Sequence, residues 1–531
     1  MIGTTGYRFK DILLTFRPIF LNNMTHIKTL TTILFCALLS LPAWASANPK
    51  GKDKEKSDGY RFEFTLKGST EADSLVYMAN YYGHKQYYFD TLRRKNDGLF
   101  VCEKDSVPGG IYLIVMPDRS SYFEVIVTGD EKEIVMNTNR NSLIEQMDVK
   151  VSDENKLFYE FQRTLAKMTF SARPMQERIK ALKEQEGQED SVKYYEEKLN
   201  QLNDEVIAYK TEFIETNANS FAAKIFKSSQ EPEIPENPEV PEGVEVNDWK
   251  YYYFKNHFWD NIDLGDDRMI RTPVLGKKLE YYITKLTPQI PDSITAASDE
   301  LIDKARPSRE NFKYIVHWIT NHYERSKIMG MDAVFSYMAV NYYGRGECWW
   351  TDSATTEKIV TRGKTLEPLL IGKKASNIIL PDTAGKWHNL HEIEADYTVM
   401  VFWSSTCGHC KKEIPRIEKF YQEYKDKNVA VFGIGTELEI ENFKKFIRNN
   451  KIHFLNVSDT PEINENAHDY MLKGLTDLNS LNFRTVYDIF STPQVYVLDK
   501  DKKIIAKKLG ADQLGDFIDN YSKNQTQNTA P

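Results

Sequence analysis

Three changes of periodicity along the chain predict a multidomain α+β protein. It should have an N-terminal all-β domain, a central all-α region and a C-terminal α/β domain. Short period-two runs separated by turn signals occupy residues 60–141, helical spacing takes over from Ser152, and strand–helix alternation begins near Glu367. The 531 residues leave room for several cores, at about 100–200 residues per domain. The chain is 41% hydrophobic and 27% charged, which argues against a polytopic membrane protein and against wholesale disorder. A net charge of −8 with no basic block argues against nucleic acid as a partner.

Residues 1–47 read as a secretory signal peptide whose natural start is Met24. Lys28 supplies a basic start, Leu30 to Leu41 is mostly apolar and uncharged, and Ala45-Ser46-Ala47 is a small-residue cleavage site. The apolar run is shorter than the ~20 residues of a spanning helix. Cys36 lies inside that run behind bulky Phe35, which argues against lipidation. The expected location is the periplasm, an oxidising compartment where a thiol pair is either a disulfide or is actively kept reduced. Only five cysteines occur, too few for a disulfide scaffold. Cys102 and Cys348 read as buried free thiols.

Residues 48–59 form a polar, lysine-rich leader. In the β domain, 60–141, strands are expected at Tyr60–Leu66, Leu75–Ala79, Gln86–Leu92, Gly110–Met116, Tyr122–Val127 and Glu133–Met136. The turn signals include Gly68, Asp97-Gly98 and Gly129-Asp130. A helical region follows over 142–230: Leu157, Phe158, Phe161 and Leu165 make one face, and two helices break near Gly187. Residues 231–243 carry four prolines among acidic residues, an extended linker or exposed loop. A second helical domain spans 244–366. There Ser308 caps a helix with the stripe Phe312, Ile315, Val316, Ile319 and Tyr323. Residues 526–531 are a tail.

The domain at 367–525 carries the chemistry. Tyr397 to Trp403 is a nearly continuous apolar run, a buried strand. It leads into Cys407-Gly408-His409-Cys410, after which Ile417, Phe420, Tyr421 and Tyr424 space out as a helix face. A cysteine at a strand-to-helix junction meets unpaired N–H groups and the positive end of the helix dipole, which favour a thiolate. The thiolate is the attacking species in disulfide exchange. Cys410, one turn later, can resolve the mixed disulfide that Cys407 forms. His409 favours the thiolate further and, with Gly408, tunes the pair. A structural disulfide or half a zinc site are the plainer readings. Zinc would need a second Cys or His pair at ligand spacing, and none is evident, so no metal or cofactor is expected.

These residues resemble the thioredoxin superfamily, and within it the TlpA/ResA-like thiol–disulfide oxidoreductases. The resemblance rests on Phe402-Trp403 before the cysteines, Lys411-Lys412-Glu413-Ile414-Pro415 after them, and Ser491-Thr492-Pro493 before a strand. It implies a thioredoxin fold with Pro493 cis beside the thiols and Thr492 offering its backbone to an extended substrate. Glu413 would relay protons, and Trp403 would serve as wall on the substrate side and as core. Residues 60–140 resemble a DUF4369-type β domain and the helical part resembles DUF5106, as in exported Bacteroidetes proteins. The chain departs from thioredoxin at Val401, where thioredoxin has a buried aspartate, and at Thr406, where a tryptophan is common. An insertion is expected between His453 and Ser491.

The function implied is exchange with protein thiols and disulfides, in the reducing direction, with a membrane oxidoreductase as electron donor. The alternatives are an isomerase or oxidase, which the motif histidine favours, and a non-catalytic envelope binding protein that uses the fold as a scaffold. A peroxidase pattern P-x-x-x-T-x-x-C is broken by Met400 and Ser404.

Overall fold

The computed structural model describes residues 59–235 and 238–528, so the signal segment and the C-terminal tip lie outside the described residues. Two compact units are present. The first runs to Glu231 and includes Arg268–Val274; the second comprises Pro232–Asp267 and the chain from Leu275 onward.

The first unit begins with β1 (Tyr60–Lys67), β2 (Leu75–Tyr82), β3 (Lys85–Arg93), β4 (Leu99–Lys104), β5 (Gly110–Val115), β6 (Tyr122–Val127), β7 (Glu133–Asn139) and β8 (Asp148–Val151). They form two four-stranded sheets, ordered β4-β1-β7-β8 and β3-β2-β5-β6. Alternation along β1 buries Tyr60, Phe62, Phe64 and Leu66, and Phe64 meets Phe123 of the other sheet edge-to-face. Two strands, β4 and β8, were not among the sequence expectations. Leu99–Lys104 is short and ends in charged residues, yet Phe100 and Cys102 point inward opposite Phe64 and Phe62.

Then come α1 (Asp153–Lys183), α2 (Glu189–Thr216) and α3 (Phe221–Ser228). Ser152 caps α1 through Asn155 N–H, and Gly187 breaks the chain between α1 and α2 with φ +74°. The first turn of α1 covers a sheet edge: Asn155 exchanges two 2.8 Å hydrogen bonds with the backbone of Ile126, and Tyr159 donates to the Glu124 carbonyl at 2.8 Å. Covering an edge in this way removes a template for intermolecular pairing.

The second unit opens with α4 (Val246–His257), α5 (Leu275–Tyr281), α6 (Pro291–Ala305), α7 (Arg309–Glu324), α8 (Asp332–Met338) and α9 (Ser353–Leu366). Ser308 caps α7 by accepting from Asn311 N–H, and the stripe from Phe312 to Tyr323 is buried as its spacing requires. A hairpin of β9 (Ile379–Pro381) and β10 (Trp387–Asn389) leads to β11 (Tyr397–Trp403), α10 (Cys410–Tyr424), β12 (Val429–Gly435), α11 (Ile440–Asn449) and β13 (Leu455–Ser458). The insertion follows as four short helices, α12 (Pro461–Glu465), α13 (Ala467–Leu472), α14 (Leu478–Leu481) and α15 (Phe483–Val486). The chain ends with β14 (Gln494–Leu498), β15 (Ile504–Lys507) and α16 (Ala511–Asn528).

The five-stranded sheet is ordered β13-β12-β11-β14-β15, with β11, β12 and β13 parallel, β14 antiparallel to β11, and β15 antiparallel to β14. The central strand β11 is buried on both faces. Val399, Val401 and Trp403 face a core shared with Ile414 and Ile417 of α10, Phe443 of α11 and Leu514 of α16. Phe402 faces the other way, onto Phe483 and Tyr487 of the insertion, with ring centroids 5.8 and 4.9 Å apart. The helices and the sheet of this unit are tied at β15. Lys507 there is buried, pairs with Asp332 of α8 and donates to the Leu369 carbonyl. Among the described residues, no helix is long and apolar enough to cross a membrane.

Candidate active site

Strand β11 ends at Trp403, and the next six residues turn the chain into α10. Lys411 N–H donates to the Cys407 carbonyl at 3.1 Å and Glu413 N–H to the His409 carbonyl at 3.0 Å, so Cys407 sits at the open N-terminal turn. Its sulfur is half-buried, accepts from Cys410 N–H at 3.5 Å, and lies 3.2 Å from the carbonyl oxygen of Thr492. The Thr492–Pro493 peptide is cis. Cys410 is fully buried under the helix, and all four described cysteines are free thiols, Cys102 and Cys348 buried among them.

The two thiols differ electrostatically. Burial raises the Cys407 pKa, but hydrogen bonds from Thr492 and Cys410 and from the His409 amide outweigh it, and the pKa falls to about 7. Burial pushes the Cys410 thiol up to about 11, and the neighbouring Cys407 adds to the rise. A half-exposed thiol of low pKa beside a buried one of high pKa separates attacking sulfur from resolving sulfur. Iodoacetamide should therefore alkylate Cys407 with a half-maximal rate near pH 7 while sparing Cys410. A midpoint near ~8.5, the free-cysteine value, would remove the electrostatic distinction.

The remaining expected site residues fall into two groups. Gly408 and His409 are exposed on the rim between the sulfurs, and Thr492 and Pro493 are half-buried beside them. Two expectations need correction. Trp403 is completely buried, packs at a tilt against Phe443 and Phe446, and donates its indole N–H to Asn456 at 3.0 Å, so it cannot line a substrate surface. Its place on β11 turns it into the helix-covered core. Glu413 is held by other partners: one oxygen pairs with Arg416 at 2.9 Å and the other accepts from Ala511 N–H at 3.1 Å. It caps α16, where a carboxylate is favoured by the helix dipole. Among the described residues, no hydrogen bond joins Glu413 to either thiol.

Residues 371–507 match the AhpC/TSA family, and residues 193–361 match a domain of unknown function, DUF5106. The thiol-disulfide oxidoreductase ResA of Bacillus cereus is 25% identical over 163 residues, which span 30% of this chain and 81% of that protein. The domain is similar to thiol–disulfide oxidoreductases. ResA of Halalkalibacterium halodurans is 33% identical over 75 residues, 14% of this chain and 43% of that protein. A crystal structure of a domain of a possible thiol-disulfide isomerase from Cytophaga hutchinsonii is 39% identical, covering 30% of this chain and 99% of that one, with a TM-score of 0.26. The DUF5106 match begins inside α2 and runs through the proline-rich segment. Neither family match reaches residues 60–141.

The oxidoreductase domain also contains a support for its cysteine loop that sequence spacing did not flag. Glu437 accepts from Ser405 N–H and Ser405 Oγ, both at 2.9 Å, and from Ser404 Oγ at 3.2 Å. Next to it, the carbonyl of Thr436 accepts from Arg484 Nε and Nη2 at 3.1 and 3.0 Å, and Arg484 pairs through two 2.8 Å contacts with fully buried Asp459. The parallel register of β11 and β12, with Trp403 opposite Gly435, is the signal that could have found Glu437. It sets the residues after 435 beside those after 403. Nothing in the spacing of the insertion points to Arg484. Among the described residues, no group of three or more His, Cys, Asp or Glu is placed to hold a metal.

Proposed function

We propose that this protein is an exported thiol–disulfide oxidoreductase that reduces disulfides of protein substrates through Cys407 and Cys410. The observation that carries the reading is the asymmetry of the two thiols beside Thr492: Cys407 accessible with a pKa of about 7, Cys410 buried with one of about 11.

The Cys407 thiolate attacks one sulfur of the substrate disulfide. One S–S bond breaks, a mixed disulfide forms, and a substrate thiolate leaves. Once Cys407 is tied up in the mixed disulfide its charge no longer raises the Cys410 pKa, and the Cys410 proton leaves to solvent as its sulfur attacks. The Cys410 sulfur then attacks Cys407, closes the internal disulfide and releases the second substrate thiolate. Two electrons pass to the substrate, so each turnover needs a dithiol donor. A membrane oxidoreductase facing the periplasm is the donor class that fits an exported domain, and the Met24–Ala47 signal supports export. The helix dipole and the amide donors stabilise the thiolate without a base, which leaves Glu413 free for its capping role.

A second reading, isomerase or oxidase, is favoured by exposed His409 between the cysteines, since a histidine at that place favours the reduced thiolate and makes the disulfide more oxidising. Equilibration of purified mature protein with glutathione decides between them. A potential near ~−270 mV is expected for a reductant. A value of ~−180 mV or higher would replace reduction by shuffling or oxidation.

A further inference from the structure

Beside the cis-proline loop lies a cleft of about 180 Å³, lined from two sides. Helices α7, α8 and α9 contribute Tyr323, Phe335 and Arg362; the oxidoreductase domain contributes Phe490, Ser491 and Tyr496. Ser491 at the cleft wall is the residue before Thr492, whose carbonyl lies 3.2 Å from the Cys407 sulfur, so the cleft opens beside the loop that carries the thiol contact.

Three features of the cleft ask for an occupant. Tyr323 is 2% exposed, and its hydroxyl has no hydrogen-bond partner among the described residues. The Nε of Arg362 is likewise buried and without a partner, although its Nη1 pairs with Glu324 at 2.7 Å. A buried donor left unpaired carries its full desolvation penalty, so two in one cleft are a strong pull on an acceptor. The third is Phe490, which is 80% exposed, with the Arg362 guanidinium 5.7 Å from its ring. The ionic groups around the cleft offset one another, with Asp332 on Lys507 and Glu324 on Arg362, so a neutral acceptor suits it better than an ion.

We propose that this cleft holds an extended segment of the substrate polypeptide flanking the attacked cysteine. Tyr323 Oη and Arg362 Nε donate to a peptide carbonyl of that segment, and a large apolar side chain lies against Phe335 and Phe490. The helical domain thereby forms one wall of the substrate site and selects the residues around the disulfide. This rests on the oxidoreductase reading above and adds the substrate class to it: disulfides in extended chain with a bulky apolar neighbour.

The test uses reduced full-length mature protein in single turnovers. Two short synthetic peptides each carry one cysteine as its mixed disulfide with glutathione, flanked by phenylalanine in one and glycine in the other. The wild type should react about tenfold faster with the phenylalanine peptide, the size expected of one buried aromatic anchor. Phe490→Ala should bring that ratio close to one. Tyr323→Phe removes only a hydroxyl that is unpaired in the free protein. It should slow both peptides severalfold without lowering the melting temperature, a combination a purely structural role would not produce. If the wild type reacts with both peptides but shows no preference, or if both variants keep it, the cleft assignment is overturned alone. If the wild type reacts with neither, the oxidoreductase reading itself fails.

Discussion

Cys410→Ser should leave the protein joined to its substrates. With Cys410 absent, the mixed disulfide on Cys407 has no internal sulfur to resolve it, and the nearest competing thiol must come from solution. Non-reducing gels of cells expressing this variant should show adducts that collapse on adding dithiothreitol. Cys407→Ser should show none, and its disulfide exchange should fall to background. At pH 7 a thiol of pKa about 7 is half ionised, against roughly 3% for an ordinary thiol near ~8.5, so Cys407 carries the reactive fraction. Adducts that persist in Cys407→Ser would move the attacking role elsewhere. A full cellular phenotype with Cys407→Ser would instead support the scaffold alternative. The identity of the trapped proteins bears on the cleft beside Phe490, since their cysteines should sit next to bulky apolar residues.

The strongest features of the oxidoreductase domain were legible because each rests on local chemistry. The run Tyr397–Trp403 could only be a buried strand, and a thiol pair at its end could only meet a helix N-terminus. The bounds of β11 agree with the sequence reading to the residue. The side-chain directions of Trp403 and Glu413 were not legible, for one shared reason. Their positions in the motif are local, but the direction each side chain takes depends on what packs above it, here Phe443 of α11 and the N-terminus of α16. Strands β4, β8 and β13 escaped because each is short and completes its hydrophobic pattern only when paired with a neighbour. The cleft was out of reach altogether. Tyr323 read as one more residue of the α7 stripe, and it is the stripe's last turn that meets the loop before Pro493.

The Arg484–Asp459 pair is the case where a distant contact should matter most. Asp459 has no exposed surface, and its carboxylate is held by Arg484 through both oxygens and by Asn464 Nδ2 at 2.8 Å. Arg484→Met keeps the bulk of the side chain and removes the charge, leaving a buried carboxylate with one neutral donor. Breaking such a pair costs about 3–5 kcal/mol, and the Arg484 side chain, about one-third exposed, places this one near the lower figure. Urea denaturation of the full chain should show the loss, and Arg484→Met combined with Asp459→Asn should recover most of it, because no charge is then stranded. The same substitution frees the Thr436 carbonyl, next to the Glu437 carboxylate that holds Ser404 and Ser405. The folded variant should therefore also alkylate at Cys407 with a shifted pH midpoint. Stability lost with an unmoved midpoint would confine Arg484 to the insertion. A midpoint that moves would show that the insertion acts as a brace for the reactive thiol, reaching it through the end of β12.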